Sequence, residues 1–107
     1  MRYQNKKHLG HIRGMVCALF DYSVECIGAT EVHHLLKPWH GSRGMGLKAN
    51  DRNVIPLCHY HHAMLHDQRG NEDSYWTEFQ QQISFGRDLA LMLWMRSPHY
   101  DTGESHV

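Results

Sequence analysis

Histidine is not spread evenly along this chain. Seven of its eleven His residues fall between His33 and His66: His33, His34, His40, His59, His61, His62 and His66. A lone His is most often a surface or capped residue, but seven in so short a stretch require a common cause. His is the commonest metal ligand and the usual proton acceptor near neutral pH. A chain of 107 residues reads as one domain, residues 1–107, with a small core. A bound metal would add usefully to the stability of such a core. The fold must therefore bring the His-bearing segments together.

The pattern between and around them reads as an α+β domain. Asn5 can cap a helix over residues 5–16, with Leu9, Ile12 and Met15/Val16 at helical spacing. Residues 17–32 look hairpin-like, with Cys17 and Cys26 flanking a turn. Thr30, Val32 and Leu35–Leu36 read as a strand carrying His33 and His34, and Val54–Leu57 as a second, apolar strand. Between them, residues 37–53 form a long loop with Gly41, Gly44, Gly46 and Pro38. A helix is expected over residues 59–68, stopped by Gly70. Two packing helices follow within about residues 73–97: one from Asp73 or Ser74 with Tyr75, Trp76, Phe79 and Ile83 at helical spacing, the other over 87–96. Trp76, Phe79, Leu91, Trp94 and Met95 are expected in the core. The polar tail is expected to be mobile.

Charge and cysteine content narrow the setting. Formal net charge is zero, yet residues 1–52 carry eight Lys/Arg against four Asp/Glu, and residues 53–107 three against seven. A globally basic nucleic-acid wrapper is excluded, but a local basic face is not. Three Cys cannot all pair within the chain, so a disulfide framework is not expected. No apolar run reaches the ~18–20 residues of a membrane span, and MRYQNKKHLGHIRG lacks the apolar stretch of a secretory signal. The reading is a cytoplasmic protein in a reducing compartment, with no membrane partner.

Spacing carries the chemistry. On a helix, His62 and His66 point to one face with Cβ atoms about 5–6 Å apart, so both imidazoles can reach one cation. A third ligand can come from the His33-His34 pair. Strand neighbours face opposite ways, so one can bind metal while the other addresses a substrate. Three protein ligands leave open positions, which is the catalytic pattern.

The complete pattern is His33-His34, eighteen residues, Asn53, eight residues, His62, three residues, His66. It resembles the His-Asn-His (HNH) endonucleases of the ββα-metal fold. The wider wording, EVHHL…GMGLKANDRNVIPLCHYHHAMLH, is similar to phage and prophage nucleases, including the recombination-enhancement type that acts with a recombinase filament. The resemblance covers about residues 8–70 and implies a small ββα-metal core with an N-terminal helix and two C-terminal packing helices. It implies that His33, His62 and His66 are the metal ligands and that His34 is the general base. It gives Asn53 the task of holding the loop and orienting that base. One divalent cation is implied. Imidazole ligands suit zinc, nickel, cobalt or manganese, while magnesium prefers more oxygen.

Many such relatives also carry two Cys-x2-Cys pairs around a structural zinc. Here the position three after Cys17 is Phe20, so the pattern departs. Cys26 could replace the missing ligand, giving Cys17, Cys26, Cys58 and His61 as a second, structural zinc site. The alternative is that the three Cys pack as small apolar residues. In the loop, Lys37, Arg43, Lys48 and Arg52 are the expected DNA contacts. Trp39 would stack on a base or pack the loop down, and His40 and His59 are expected to be exposed.

The leading expectation is a metal-dependent DNA endonuclease of phage or prophage origin, cutting or nicking with little sequence preference. DNA would be its partner, with a recombinase or other phage machinery as the protein partner. The alternative is a catalytically inactive, zinc-stabilised nucleic-acid-binding module. The intact His34 argues against it, because binding alone needs no base. A purely metal-binding or chaperone role would need neither Asn53 nor a basic loop.

Overall fold

Asn5 opens the first helix by accepting a hydrogen bond from the His8 N–H, one of the donors a helix start leaves unpaired. Helix α1 spans Lys6–Arg13, ends at Gly14, and buries His8 and Ile12. The computed structural model describes residues 3–23, 25–41, 48–67 and 71–101. Arg43, Gly44, Gly46, Gly70 and the tail from residue 102 lie outside them. Among the described residues the chain is a small α+β arrangement of two antiparallel strands and four helices.

Strand β1, Thr30–His34, pairs with β2, Val54–Cys58, in a register running from Thr30 opposite Cys58 to His34 opposite Val54. All five β2 residues are buried, because α1, α2 and α4 all pack on this strand. Pro56 has no N–H to give, which a two-stranded sheet tolerates because each strand is an edge. Its carbonyl accepts from the Ala18 N–H at 2.8 Å and so ties the Cys17 segment to β2.

Helix α2, His59–Asp67, follows β2 directly. Its first N–H groups, on His59 and Tyr60, donate to the carbonyls of Ala29 and Ile27 ahead of β1. This close approach requires Gly28, which has φ +89°. A Cβ there would lie 2.8 Å from the His59 Cβ. Helices α3, Glu72–Thr77, and α4, Phe85–Met95, close the core. Trp76 lies so near Gly86 that a Cβ on the glycine would sit 3.0 Å from the indole.

The structure corrects several expectations. Among the described residues of 17–29 there is no ladder. A single 3-10 turn at Phe20–Tyr22 replaces the expected hairpin, and Cys17 and Cys26 are held to β2 and α2 instead. β1 ends at His34, before Leu35 and Leu36. The helix expected to reach Ile83 stops at Thr77. Gln80 takes a left-handed φ of +61°, and Ile83 is exposed. Leu91 and Met95 are exposed rather than in the core. Gly86, Ala90, Leu93 and Trp94 follow the helical period on the buried side of α4, and Leu91 and Met95 fall on the other.

Candidate metal centres

Alternation along β1 sends Glu31 and His33 to the face covered by α2, and Val32 and His34 away from it. His33 therefore meets His62 and His66. Ring centroids lie 5.2 Å apart for His33–His62, 6.2 Å for His33–His66 and 4.8 Å for His62–His66. One ring nitrogen of each lies within 4.8 Å of the others, a spacing able to hold a metal ion. The Nε2 atoms of His62 and His66 face each other at 3.3 Å. Exposure is graded: His33 is buried, His62 half-buried and His66 exposed.

Two carboxylates contact imidazoles of this group. His33 Nε2 lies 2.6 Å from Glu72 Oε1, and both side chains are 1% exposed. His62 Nδ1 lies 2.8 Å from Glu31 Oε1, and the other Glu31 oxygen takes His59 Nδ1 at 2.9 Å. These contacts lower the Glu31 pKa, that of His62 contributing most. Burial lowers the His62 pKa, with the Glu31 hydrogen bond acting against it. The neutral imidazole so favoured is the form that ligates metal. A carboxylate behind each of two imidazoles is the usual support of metal-bound His.

On the other face, His34 Nε2 lies 2.8 Å from Asp51 Oδ1. Asp51 is nearly buried, and its second oxygen accepts from the Asn5 N–H at 2.8 Å. The carboxylate therefore orients the imidazole, while His34 stays 12% exposed and open to solvent. Asn53 is fully buried. Its Oδ1 accepts from the Trp39 and His40 N–H groups, and its Nδ2 donates to the His40 carbonyl and to Asn50 Oδ1. Its own carbonyl accepts from the Leu35 N–H. Asn53 thus closes the loop after β1 onto the start of β2. Trp39 packs the loop down, its indole N–H donating to the Arg52 carbonyl.

Cys17, Cys26, Cys58 and His61 form a second group whose ligand atoms all lie within 4.8 Å of one another; it could hold a metal such as zinc. His61 Nδ1 is 3.2 Å from Cys58 Sγ and 3.6 Å from both Cys17 and Cys26 Sγ. Its Nε2 is held by Ser23 Oγ at 3.0 Å. Burial raises the Cys17 thiol, and it drives Cys26, crowded by Cys17 and Cys58, up to about 12. Burial opposes ionisation of Cys58 too, but N–H groups of His61 and Ile27 and the neighbouring thiols bring it below the usual value. Three sulfurs crowded on one imidazole cannot all ionise without a cation among them. His61 and His62 point about 100° apart on α2 and serve the two groups separately.

The loop cations are distributed differently. Lys37 is exposed and 3.4 Å from Asp73, and Lys48 is exposed. The Arg52 guanidinium lies 3.8 Å over the Tyr3 ring, and is thus engaged in cation–π packing. His59 is 70% exposed and His40 is also exposed. Sequence reasoning missed Glu31, Asp51 and Glu72. Glu31 had a signal, since two residues before His33 on a strand is the same face. Asp51 and Glu72 had none, because only packing brings them to their histidines.

A family described as "Protein of unknown function (DUF968)" matches residues 1–93. A relative from Escherichia coli (strain K12), "Uncharacterized protein YdfU", is 37% identical over 94 residues, which cover 84% of this chain and 24% of the relative. The chain therefore spans about a quarter of that relative's length. No solved structure matches.

Proposed function

The chain belongs to the DUF968 family, and we propose that within it this domain acts as a metal-dependent endonuclease that hydrolyses DNA phosphodiester bonds. The observation carrying the reading is the pairing of two features on adjacent residues of β1. His33 joins His62 and His66 in a group able to hold a cation, and His34 is an imidazole oriented by a carboxylate. In this reading β1, β2 and α2 are the ββα-metal unit, with α1, α3 and α4 packed around it.

The donor set fits a borderline divalent cation: three imidazoles, two of them backed by carboxylates. Such a cation, when bound, supplies positive charge beside the leaving oxygen. The chain's own residues do the rest. Asp51 occupies His34 Nε2 and leaves Nδ1 to take a proton from water. The water oxygen forms the new bond to phosphorus, the bond from phosphorus to the sugar oxygen breaks, and that oxygen leaves with the electron pair. Asn53 keeps the loop from drifting over His34. Lys37 and Lys48 are exposed and can meet a phosphate backbone.

A plasmid-nicking assay with a series of divalent cations, with and without EDTA, tests the proposal. Cation-dependent nicking that EDTA abolishes is expected. DNA binding without nicking under any cation would overturn it in favour of a zinc-stabilised nucleic-acid-binding module.

A further inference from the structure

The most deeply buried imidazole–carboxylate contact among the described residues is His33–Glu72, and the nuclease reading does not account for it. Glu72 opens α3, and its carboxylate turns inward. Oε1 accepts from His33 Nε2 at 2.6 Å and from the Leu36 N–H at 3.1 Å, and Oε2 accepts from the Lys37 N–H at 3.2 Å. Both side chains are 1% exposed. A carboxylate so sheltered from water needs donors, and all three neighbours supply N–H. An N–H on His33 Nε2 satisfies the carboxylate and leaves Nδ1 as the nitrogen available to ligate.

We propose that Glu72 is the positioning residue of the His33–His62–His66 centre: its carboxylate fixes the tautomer and orientation of His33 and places negative charge behind a ligand set that carries none. The inference rests on that metal centre and not on nuclease activity. A dication among three neutral imidazoles keeps its full charge in a partly dry site, and a carboxylate one hydrogen bond away offsets it. Glu31 plays the corresponding part for His62, but it is 41% exposed and shared with His59, so water replaces much of its effect. His66 is exposed, and no carboxylate contact to it is seen among the described residues. Glu72 also binds the backbone at residues 36 and 37, just past β1. It therefore couples the position of the loop carrying Lys37 to the orientation of a ligand.

The test uses protein whose Cys17, Cys26, Cys58 and His61 group has been loaded with zinc, then titrated with Co²⁺ and followed by visible absorption and calorimetry. Glu72→Gln is expected to weaken Co²⁺ binding about 10–100-fold, with zinc content unchanged. In a His33→Ala background, Glu72→Gln should weaken it no further, because the carboxylate acts through that ring. Equal Co²⁺ affinity in wild type and Glu72→Gln, with affinity lost in His33→Ala, would overturn the role of Glu72 and leave the metal centre standing. No Co²⁺ binding by the wild type would remove the centre itself, and with it the metal part of the functional reading. If Glu72→Gln does not fold, ¹⁵N NMR of the wild type decides, with zinc in the Cys17, Cys26, Cys58 and His61 group and no metal at the histidine group. A neutral His33 protonated on Nε2 is expected, and protonation on Nδ1 would overturn the proposal.

Discussion

The two ligand groups share helix α2 yet differ in almost every other respect. The Cys17, Cys26, Cys58 and His61 group draws four donors from two segments, with three of them buried and the fourth half-buried. The His33, His62 and His66 group draws three donors, running from buried to exposed. Four donors fill a tetrahedral shell and leave nothing for a substrate, whereas three leave a position open. Closure also sets the structural stake. The first group ties the segment before β1 to the β2–α2 junction, which backbone bonds from Ala18 to Pro56 and from Tyr60 to Ile27 already bring together. The second group joins strand β1 to helix α2 and runs from buried His33 out to exposed His66. One helix thus carries a closed donor group on one face and an open one on the next, each able to hold a metal ion.

The largest effect should come from breaking the closed group. Cys58→Ser removes a donor from the closed group, and loss of metal there is expected to unfold the domain, since a structural metal can contribute a large share of a small fold's stability. Circular dichroism and elemental analysis would show it. A variant that keeps its melting temperature while losing zinc would reduce the closed group to ordinary core packing.

Next in size is His34→Ala. Loss of a general base costs about 10²–10⁴-fold in rate, and the metal content of both groups should stay at the wild-type level. Nicking rates and metal content measured on one preparation separate this outcome from a general loss of structure. Wild-type nicking by the variant would move the base elsewhere.

Chelation compares the two groups directly. A mild chelator should strip the open group first and end nicking with little change in melting temperature. A strong chelator is needed to empty the closed group, and unfolding should accompany it. Loss of both metals at one chelator concentration would mean that the groups are not energetically distinct.

The smallest effect concerns a histidine in neither group. His8 is fully buried, its Nδ1 held by Ser97 Oγ at 2.9 Å and its ring edge-on to Trp94. Its Nε2 has no hydrogen-bond partner among the described residues. Burial, reinforced by the nearby His11, lowers its pKa to about 4. The folded state therefore binds fewer protons at this site than the unfolded chain between about pH 6.5 and 4. Its contribution to stability is present above pH 6.5 and is lost as pH falls through that window, by up to about 1.4 kcal/mol per unit. Urea midpoints at pH 7, 6 and 5 should fall less steeply in His8→Phe than in wild type. Parallel slopes would place the acid sensitivity in groups other than His8.

How much of this was legible beforehand depends on distance along the chain. The helical spacing of His62 and His66, the adjacency of His33 and His34, and the Cys58-x2-His61 step all concern residues within one turn or one strand repeat. Local geometry alone directs such side chains, whereas His33 as the third ligand and Cys17 and Cys26 as partners of Cys58 were implied by the resemblance to the HNH endonucleases; the fold brings both groups of donors together. The Asp51–His34 and Glu72–His33 pairs span 17 and 39 residues, and no periodicity connects them. The turn at Gln80 that ends the aromatic stretch early, and the seating of Arg52 on Tyr3, were hidden for the same reason.

From backbone periods of 2.0 and 3.6 residues, which packing does not alter, came the β1 and β2 strands, the α2 helix, the shared face of His62 and His66 and the separate directions of His61 and His62. The complete donor sets came from the resemblance to the HNH endonucleases. Tertiary structure decided which carboxylates stand behind His33, His34 and His62, that Arg52 seats on Tyr3, and which side of α4 faces solvent. Each is a choice among partners distant in the chain, settled by how β2 is covered by α1, α2 and α4 and by the need of every buried polar group for a donor or acceptor.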